Sequence, residues 1–364
     1  MNDSLPQPVI IYGSKISYFT GKLEAFLRHK RIKYKFVPVS LLRFEKIRRH
    51  TGVKQVPAVV LSDGRWMTDT TPMLQWLDGQ TKGAAVIPKD PLQAFFSFII
   101  EDYADEWLWR PAMHFRWSYK ESADLLSGKI ADEILGGIPL PRAIKGFYFK
   151  KRQQGIFVRG DGVSHQNREH VESIYFRNLE WLEAIFKKRS FLLGNRPTIA
   201  DYGYYGSMFR HFSQDPTPAA IMKERAPNVY EWTSRMWDNK ETFSTDLESG
   251  VPEDWSPILK DVGASYLPYL SANAEAYLAG NKHFTVTIGG GLYKKIRTSQ
   301  YRVWCLERLQ EHFHALPSNT KEMVKQRLLS DGCWNQLWQL PHIKSGIDSN
   351  HEAPFAKGHT MTGT

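Results

Sequence analysis

The stretch GVKQVPAVVLSDGRWMTDT, Gly52 to Thr70, holds two features able to bind a ligand. Pro57 stands before the apolar run Ala58 to Leu61, where it removes a backbone donor. It either starts an edge strand or leaves the preceding backbone open to a ligand. Asp69-Thr70 precedes an amphipathic run. At a helix N-terminus a threonine hydroxyl and amide suit a carboxylate, and a neighbouring aspartate suits an ammonium; the same pair also serves as an ordinary helix cap. Upstream, the hydroxyls of Tyr12, Ser14 and Ser17 crowd the end of one strand and the start of a helix. Downstream, Trp107, Arg110 and His114 fall on one predicted helical face with Tyr103 near them. That face could take an aromatic or anionic molecule, although an aromatic helix stripe is more often core. Thr198 and Asp201 have capping-box spacing, which is a structural role. His312 and His314, two apart on a predicted helix, do not share a face for chelation, and no metal site is expected.

The elements that position these residues fall into three regions. Val9 to Tyr12 reads as a buried strand, Ser17 to Arg31 as a helix, Tyr34 to Val39 as a second strand. A strand, helix, strand order implies a parallel pair. Ala58 to Leu61 and Arg65 to Met67 flank Asp63-Gly64 as a hairpin, and a helix capped by Asp69 or Thr70 follows. Past Pro88 and Pro91 long helices take over: Leu92 to Tyr119, kinked or ended in its first half by Pro111, then an irregular insertion over 136–162, then Gln166 to Lys188. Beyond Gly250 a mostly helical segment, a short strand His283 to Ile288, a glycine turn and two further amphipathic helices are expected. Gly289 to Gly291 lacks the spacing of a phosphate loop.

Composition bounds the function classes. The 364 residues exceed one ordinary core, and 42% hydrophobic with 24% charged content fits a globular protein. No apolar run approaches the roughly 20 residues of a membrane span, and no secretory signal is seen, so membrane insertion is not expected and a cytoplasmic location is. Cys305 and Cys333 cannot build a disulfide framework and lack zinc or thiol-redox spacing. The net charge of +10 favours anionic partners, but Lys and Arg are scattered in pairs and triplets, with no nucleic-acid motif.

Three separated elements, VIIYGSKISYFTGKLEAFL, QVPAVVLSDGRWMTDT and FLLGNRPTIADYGYYG, resemble the glutathione transferase family in order and spacing. The resemblance implies an α/β thioredoxin-like, glutathione-binding domain at 1–86 and an all-α second-substrate domain at 87–250. A mostly helical extension at 251–345 and a disordered tail at 346–364 lie beyond the common fold. It implies glutathione as co-substrate, a cis Pro57, and tripeptide contacts from Gln55, Val56, Pro57, Asp69 and Thr70. Ser17 takes the place of the thiolate-activating residue, with Tyr12 and Ser14 as alternatives; the absence of cysteine here argues against the thiol-dependent reducing members. Tyr103, Trp107, Arg110 and His114 would line the pocket for a hydrophobic electrophile, in a homodimeric detoxifying enzyme. The alternative is a non-catalytic member whose extension binds a protein.

Overall fold

The computed structural model describes residues 5, 8–81, 83–238, 246–347 and 358. Strand β1 (Val9–Gly13) pairs in parallel with β2 (Tyr34–Pro38) across helix α1 (Tyr18–His29). Ser17 caps α1 by accepting from the Thr20 amide, and Arg28 and His29 sit in its last turn, at the negative end of the dipole. Helix α2 (Leu41–Thr51) follows, capped by Ser40 and closed by Gly52 at a left-handed φ of 81°. The sequence reading did not separate this helix from its loop, because its apolar face is weak: only Ile47 and Thr51 are buried, while Leu42 is 84% exposed. Strands β3 (Ala58–Val60) and β4 (Trp66–Thr68) add in antiparallel register, giving the order β2-β1-β3-β4, and helix α3 (Thr70–Gly79) closes the layer. Alternation along β1 sends Val9 and Ile11 into the main core, and Tyr12 into a small cluster with Val39, Ile47 and Ala58 on the α2 side.

The single helix expected over Leu92 to Tyr119 is two, α4 (Pro91–Glu106) and α5 (Trp109–Ser118), broken at Trp107-Leu108. Pro111 sits in the first turn of α5, where an amide has no intrahelical partner to lose. After α6 (Lys120–Leu135), the insertion expected to be irregular contains α7 (Arg142–Gln153). The remaining helices of this region are α8 (Arg168–Phe186), α9 (Ile199–Ser207), α10 (Pro216–Arg225) and α11 (Pro227–Asp238).

Beyond Gly250 come α12 (Ser256–Asp261), α13 (Leu267–Leu278), strands β5 (His283–Ile288) and β6 (Gly291–Arg297), α14 (Gln300–His314), α15 (Ser318–Ser330) and α16 (Trp334–Leu337). The expected glycine turn is the tip of a β-hairpin: Gly289 and Gly290 have φ of 55° and 83°, which a tight two-residue connection requires and only glycine adopts freely. The expectation of a disordered tail falls mostly outside the described residues. This C-terminal part is not an appendage, since Trp255, Tyr266, Tyr293 and Leu306 are buried in one continuous core with Phe96 and Ile100 of α4 and Leu23 of α1. Helix α4 is thereby encased, and each of its fully buried aromatic and aliphatic side chains contributes roughly 1.5–3 kcal/mol of burial. Among the described residues no helix is long and apolar enough to cross a membrane.

Candidate functional site

A cleft of about 330 Å³, its open mouth included, lies where β3, α3, α4 and α14 converge. One part of its lining is Gln55, Val56 and Pro57, just before β3. The Val56-Pro57 peptide is cis, and among the described residues neither backbone group of Val56 makes a hydrogen bond. Asp69 and Thr70 adjoin them at the start of α3. Asp69 caps that helix through the Thr71 amide at 3.3 Å, from a backbone at φ 73°, ψ 119° that L-residues rarely adopt. Such a conformation costs on the order of 1–3 kcal/mol and clusters at ligand sites. The Thr70 hydroxyl makes no hydrogen bond to another described residue, so an unengaged hydroxyl meets the positive end of a helix within the cleft.

The rest of the lining was not anticipated: Phe19 of α1, Asp105 and Glu106 of α4, and Tyr301 from the first turn of α14. Lys22, fully buried, joins three helices beneath it by reaching Glu101 at 2.5 Å, Asp105, and the Thr71 hydroxyl at 3.2 Å. Burial opposes its charge, but the Asp105 and Glu101 carboxylates outweigh that and raise its pKa. Arg302 likewise holds Glu106 and Asp161, each at 3.2 Å. Two cations do not neutralise this cluster. Burial lifts Asp69 to about 6 against the Tyr301 hydroxyl and Lys22, lifts Glu106 to about 7 against Arg302, and lifts Asp105 well above the carboxylate range. A signal for this was present in EDYADE: Glu101/Asp105 and Asp102/Glu106 are like-charged pairs four apart, which an exposed helix disfavours. Tyr301 carried no signal, because nothing in its own segment says which helix it will meet.

The three thiol-activating candidates are placed apart. Ser17 is half-buried, two residues from Phe19, with its oxygen engaged by the Thr20 amide and its O–H free to donate. Ser14 donates to Glu133 at 2.5 Å. Tyr12 stacks on Trp66 and accepts from Lys46 at 3.0 Å, on the α2 side of the sheet, outside the cleft.

The expected second-substrate pocket is corrected by the structure. Tyr103 of α4, Trp107 at the break, and Arg110 and His114 of α5 are at most 3% exposed, the first three covered by the C-terminal part of the chain. Tyr103 donates to Asp261 at 2.7 Å, Trp107 packs on Tyr269 and Tyr293, and the Arg110 guanidinium lies 4.0 Å from the Tyr269 ring centroid. His114 pairs with Glu172 at 2.9 Å. Thr198 and Asp201 form both arms of a capping box, and the other Asp201 oxygen accepts from the Leu192 amide at 2.9 Å, fixing the start of α9 inside the core.

Residues 11–85 match the family model for the glutathione S-transferase N-terminal domain, and residues 166–235 match that for its C-terminal domain. Over these two segments the chain is assigned to the glutathione S-transferase family. Its fold is that of the family, a thioredoxin-like layer and an all-α domain, with additional C-terminal helices. A search of the curated proteins finds no match. Solved structures similar to it include a GST-like protein from Pseudomonas syringae (17% identity, 64% of this chain and 67% of that one, TM-score 0.41). Another is a glutathione S-transferase from Methylobacillus flagellatus with glutathione bound (17%, 64% and 95%, 0.41). A third is FzlA from C. crescentus (13%, 63% and 88%, 0.42). At these scores the likenesses carry no argument, and the assignment rests on the two family models. The N-terminal match contains Ser14, Ser17, Gln55, Val56, Pro57, Asp69 and Thr70; Asp105, Glu106 and Tyr301 lie outside both matches.

Proposed function

We propose that the cleft binds glutathione and that the protein is a glutathione transferase, placing the tripeptide thiolate against an electrophile. The observation that carries this reading is the convergence of an unpaired Val56 backbone with the Asp69-Thr70 pair in one cleft. The Val56 amide and carbonyl would pair with the tripeptide backbone as an added strand, with Gln55 beside it. Thr70 would take the γ-glutamyl carboxylate and Asp69 its ammonium. Ser17 is the activating group in this reading, since accepting from the Thr20 amide leaves its proton to stabilise a thiolate at the positive end of α1. Proximity and thiolate stabilisation then supply the rate enhancement.

A second reading, a glutathione-binding member without conjugating activity, is favoured by one observation: the interior where an electrophile was expected is filled. Dimerisation is part of the first reading only as a family expectation, and α4 is already encased by the chain itself.

Calorimetry with glutathione, followed by a conjugation assay on a small aromatic electrophile, separates these. Loss of binding in Thr70→Ala with turnover in wild type supports the transferase. Binding without turnover supports the second reading. No wild-type binding at saturating thiol rejects both.

A further inference from the structure

We infer that the outward face of α7 is a docking surface for an anionic phospholipid bilayer, on which the helix lies flat. Ile144, Phe147, Tyr148 and Lys151 recur at i, i+3, i+4 and i+7, so they share one side of the helix, and Leu140 stands just before it. Leu140, Ile144, Phe147 and Tyr148 are 51–62% exposed. Among the described residues Phe147 and Tyr148 are the only exposed Phe, Tyr or Trp side chains, and apolar groups gathered in this way mark an interaction surface. The exposure is not that of a loose segment, because the opposite side of α7 is fixed on α6. Phe149 is buried, Gly146 sits against Ser127 and Gly128, and the Lys145 ammonium donates to the Leu135 carbonyl at 3.0 Å and the Ile138 carbonyl at 3.3 Å.

Charge decides what covers this face. Between Glu133 and Asp161 the chain carries six Lys and Arg and no Asp or Glu. Arg142 and Lys150 pair with Asp132 and Asp124 of α6, whereas Lys151 and Arg152 have no carboxylate partner among the described residues. The Lys151 ammonium lies 5.5 Å from the Phe147 ring centroid, a long cationic side chain laid along apolar surface. A second copy of the chain fits poorly, since a two-fold contact would set this cationic stretch against itself. Nucleic acid would satisfy the charges and leave the aliphatic Leu140 and Ile144 without a partner. An anionic bilayer takes both: the apolar side chains enter the boundary of the acyl chains while Lys151 and Arg152 meet lipid headgroups. With 12 residues α7 is too short to span a bilayer, and the attachment is interfacial. The inference does not rest on glutathione binding.

The test is flotation of the full chain with vesicles of phosphatidylcholine alone and of phosphatidylcholine mixed with phosphatidylserine, at low and high salt. Binding to the mixed vesicles should be at least about tenfold tighter and should weaken with salt. Phe147→Ser, and Lys151→Ala combined with Arg152→Ala, should each weaken it by about tenfold or more. All three side chains are exposed, so these variants should keep the fold, which circular dichroism checks. No binding to the mixed vesicles, equal binding to both kinds, or binding indifferent to both variants overturns the inference. Self-association of the wild type that Phe147→Ser abolishes, followed by light scattering, also overturns it and gives the face to a second copy.

Discussion

Two parts of this molecule had the residue types of a binding site, and the structure treats them in opposite ways. At the start of α3, polar groups are left unengaged at a cleft: the Val56 backbone and the Thr70 hydroxyl. Around Trp107 and Arg110 an equally chemical set is buried, with Tyr269 and Tyr293 of the C-terminal part seated on it. The difference lies in what covers each set, and that is decided by residues some 160 or more positions further on, in α13 and β6. An aromatic stripe on a helix therefore reports that something packs there, and only the tertiary partner says whether it is ligand or protein.

The largest effect should come from breaking the filled interior. Trp107→Ala removes a fully buried indole from between Tyr269 and Tyr293, and should lower stability in urea by about 3–5 kcal/mol. A loss below about 1 kcal/mol would mean that this interior is loose enough to admit a ligand, and the contrast with the cleft would fail.

The acidic side of the comparison is sharpened by pH. Burial raises Glu106 to about 7 and Asp102, which accepts from Tyr266, to about 8. Their unfolded values are near 4, so in between the folded protein holds protons that the unfolded chain has released. Stability therefore falls as pH rises. His29 and His312, lowered by burial to about 4 and about 3, act in the opposite direction but only below their unfolded value of about 6.5. From about pH 6.5 to about pH 8 the carboxyls act without them, and the expected loss is on the order of 2 kcal/mol. Urea titrations across that window check it, and Glu106→Gln should flatten part of the slope. A rise in stability over the same range would contradict the buried acidic cluster.

How far these parts were legible depends on the reach of each signal. The Val56-Pro57 step, the Asp63-Gly64 hairpin and the Thr198 to Asp201 spacing are local, and the structure has a cis bond, a hairpin and a capping box there. Helix α2 was illegible because it buries only one turn's width of apolar side chain, and β6 because Lys294 and Lys295 mask its alternation. Tyr301 and the pairing of Lys22 with Glu101 and Asp105 are contacts across more than seventy residues, which no single-segment pattern encodes.

Asp69 allows the cleft to be separated from the fold. Asp69→Gly relieves the backbone at φ 73° and loses a side-chain cap that glycine replaces at a cost of a few tenths of a kcal/mol. Stability should stay within about 1 kcal/mol of wild type, while glutathione affinity falls about tenfold, or about 1.4 kcal/mol. Unchanged affinity would remove the carboxylate from the binding role proposed above.

The smallest effect tests the boundary between cap and catalyst. Ser17→Ala deletes the acceptor for the Thr20 amide, and should cost about 1 kcal/mol of stability whichever role the serine has. The pKa of the bound thiol, followed by thiolate absorbance, is what divides them. In the transferase reading the Ser17 O–H, free because the oxygen acts as acceptor in the cap, donates to the sulfur, and its removal raises the thiol pKa and lowers turnover. In a protein that binds without conjugating, the stability loss appears alone. A shift in thiol pKa with glutathione affinity retained would also place the sulfur at the start of α1, near Phe19, and so join the side of the cleft read from sequence to the side supplied by α4 and α14.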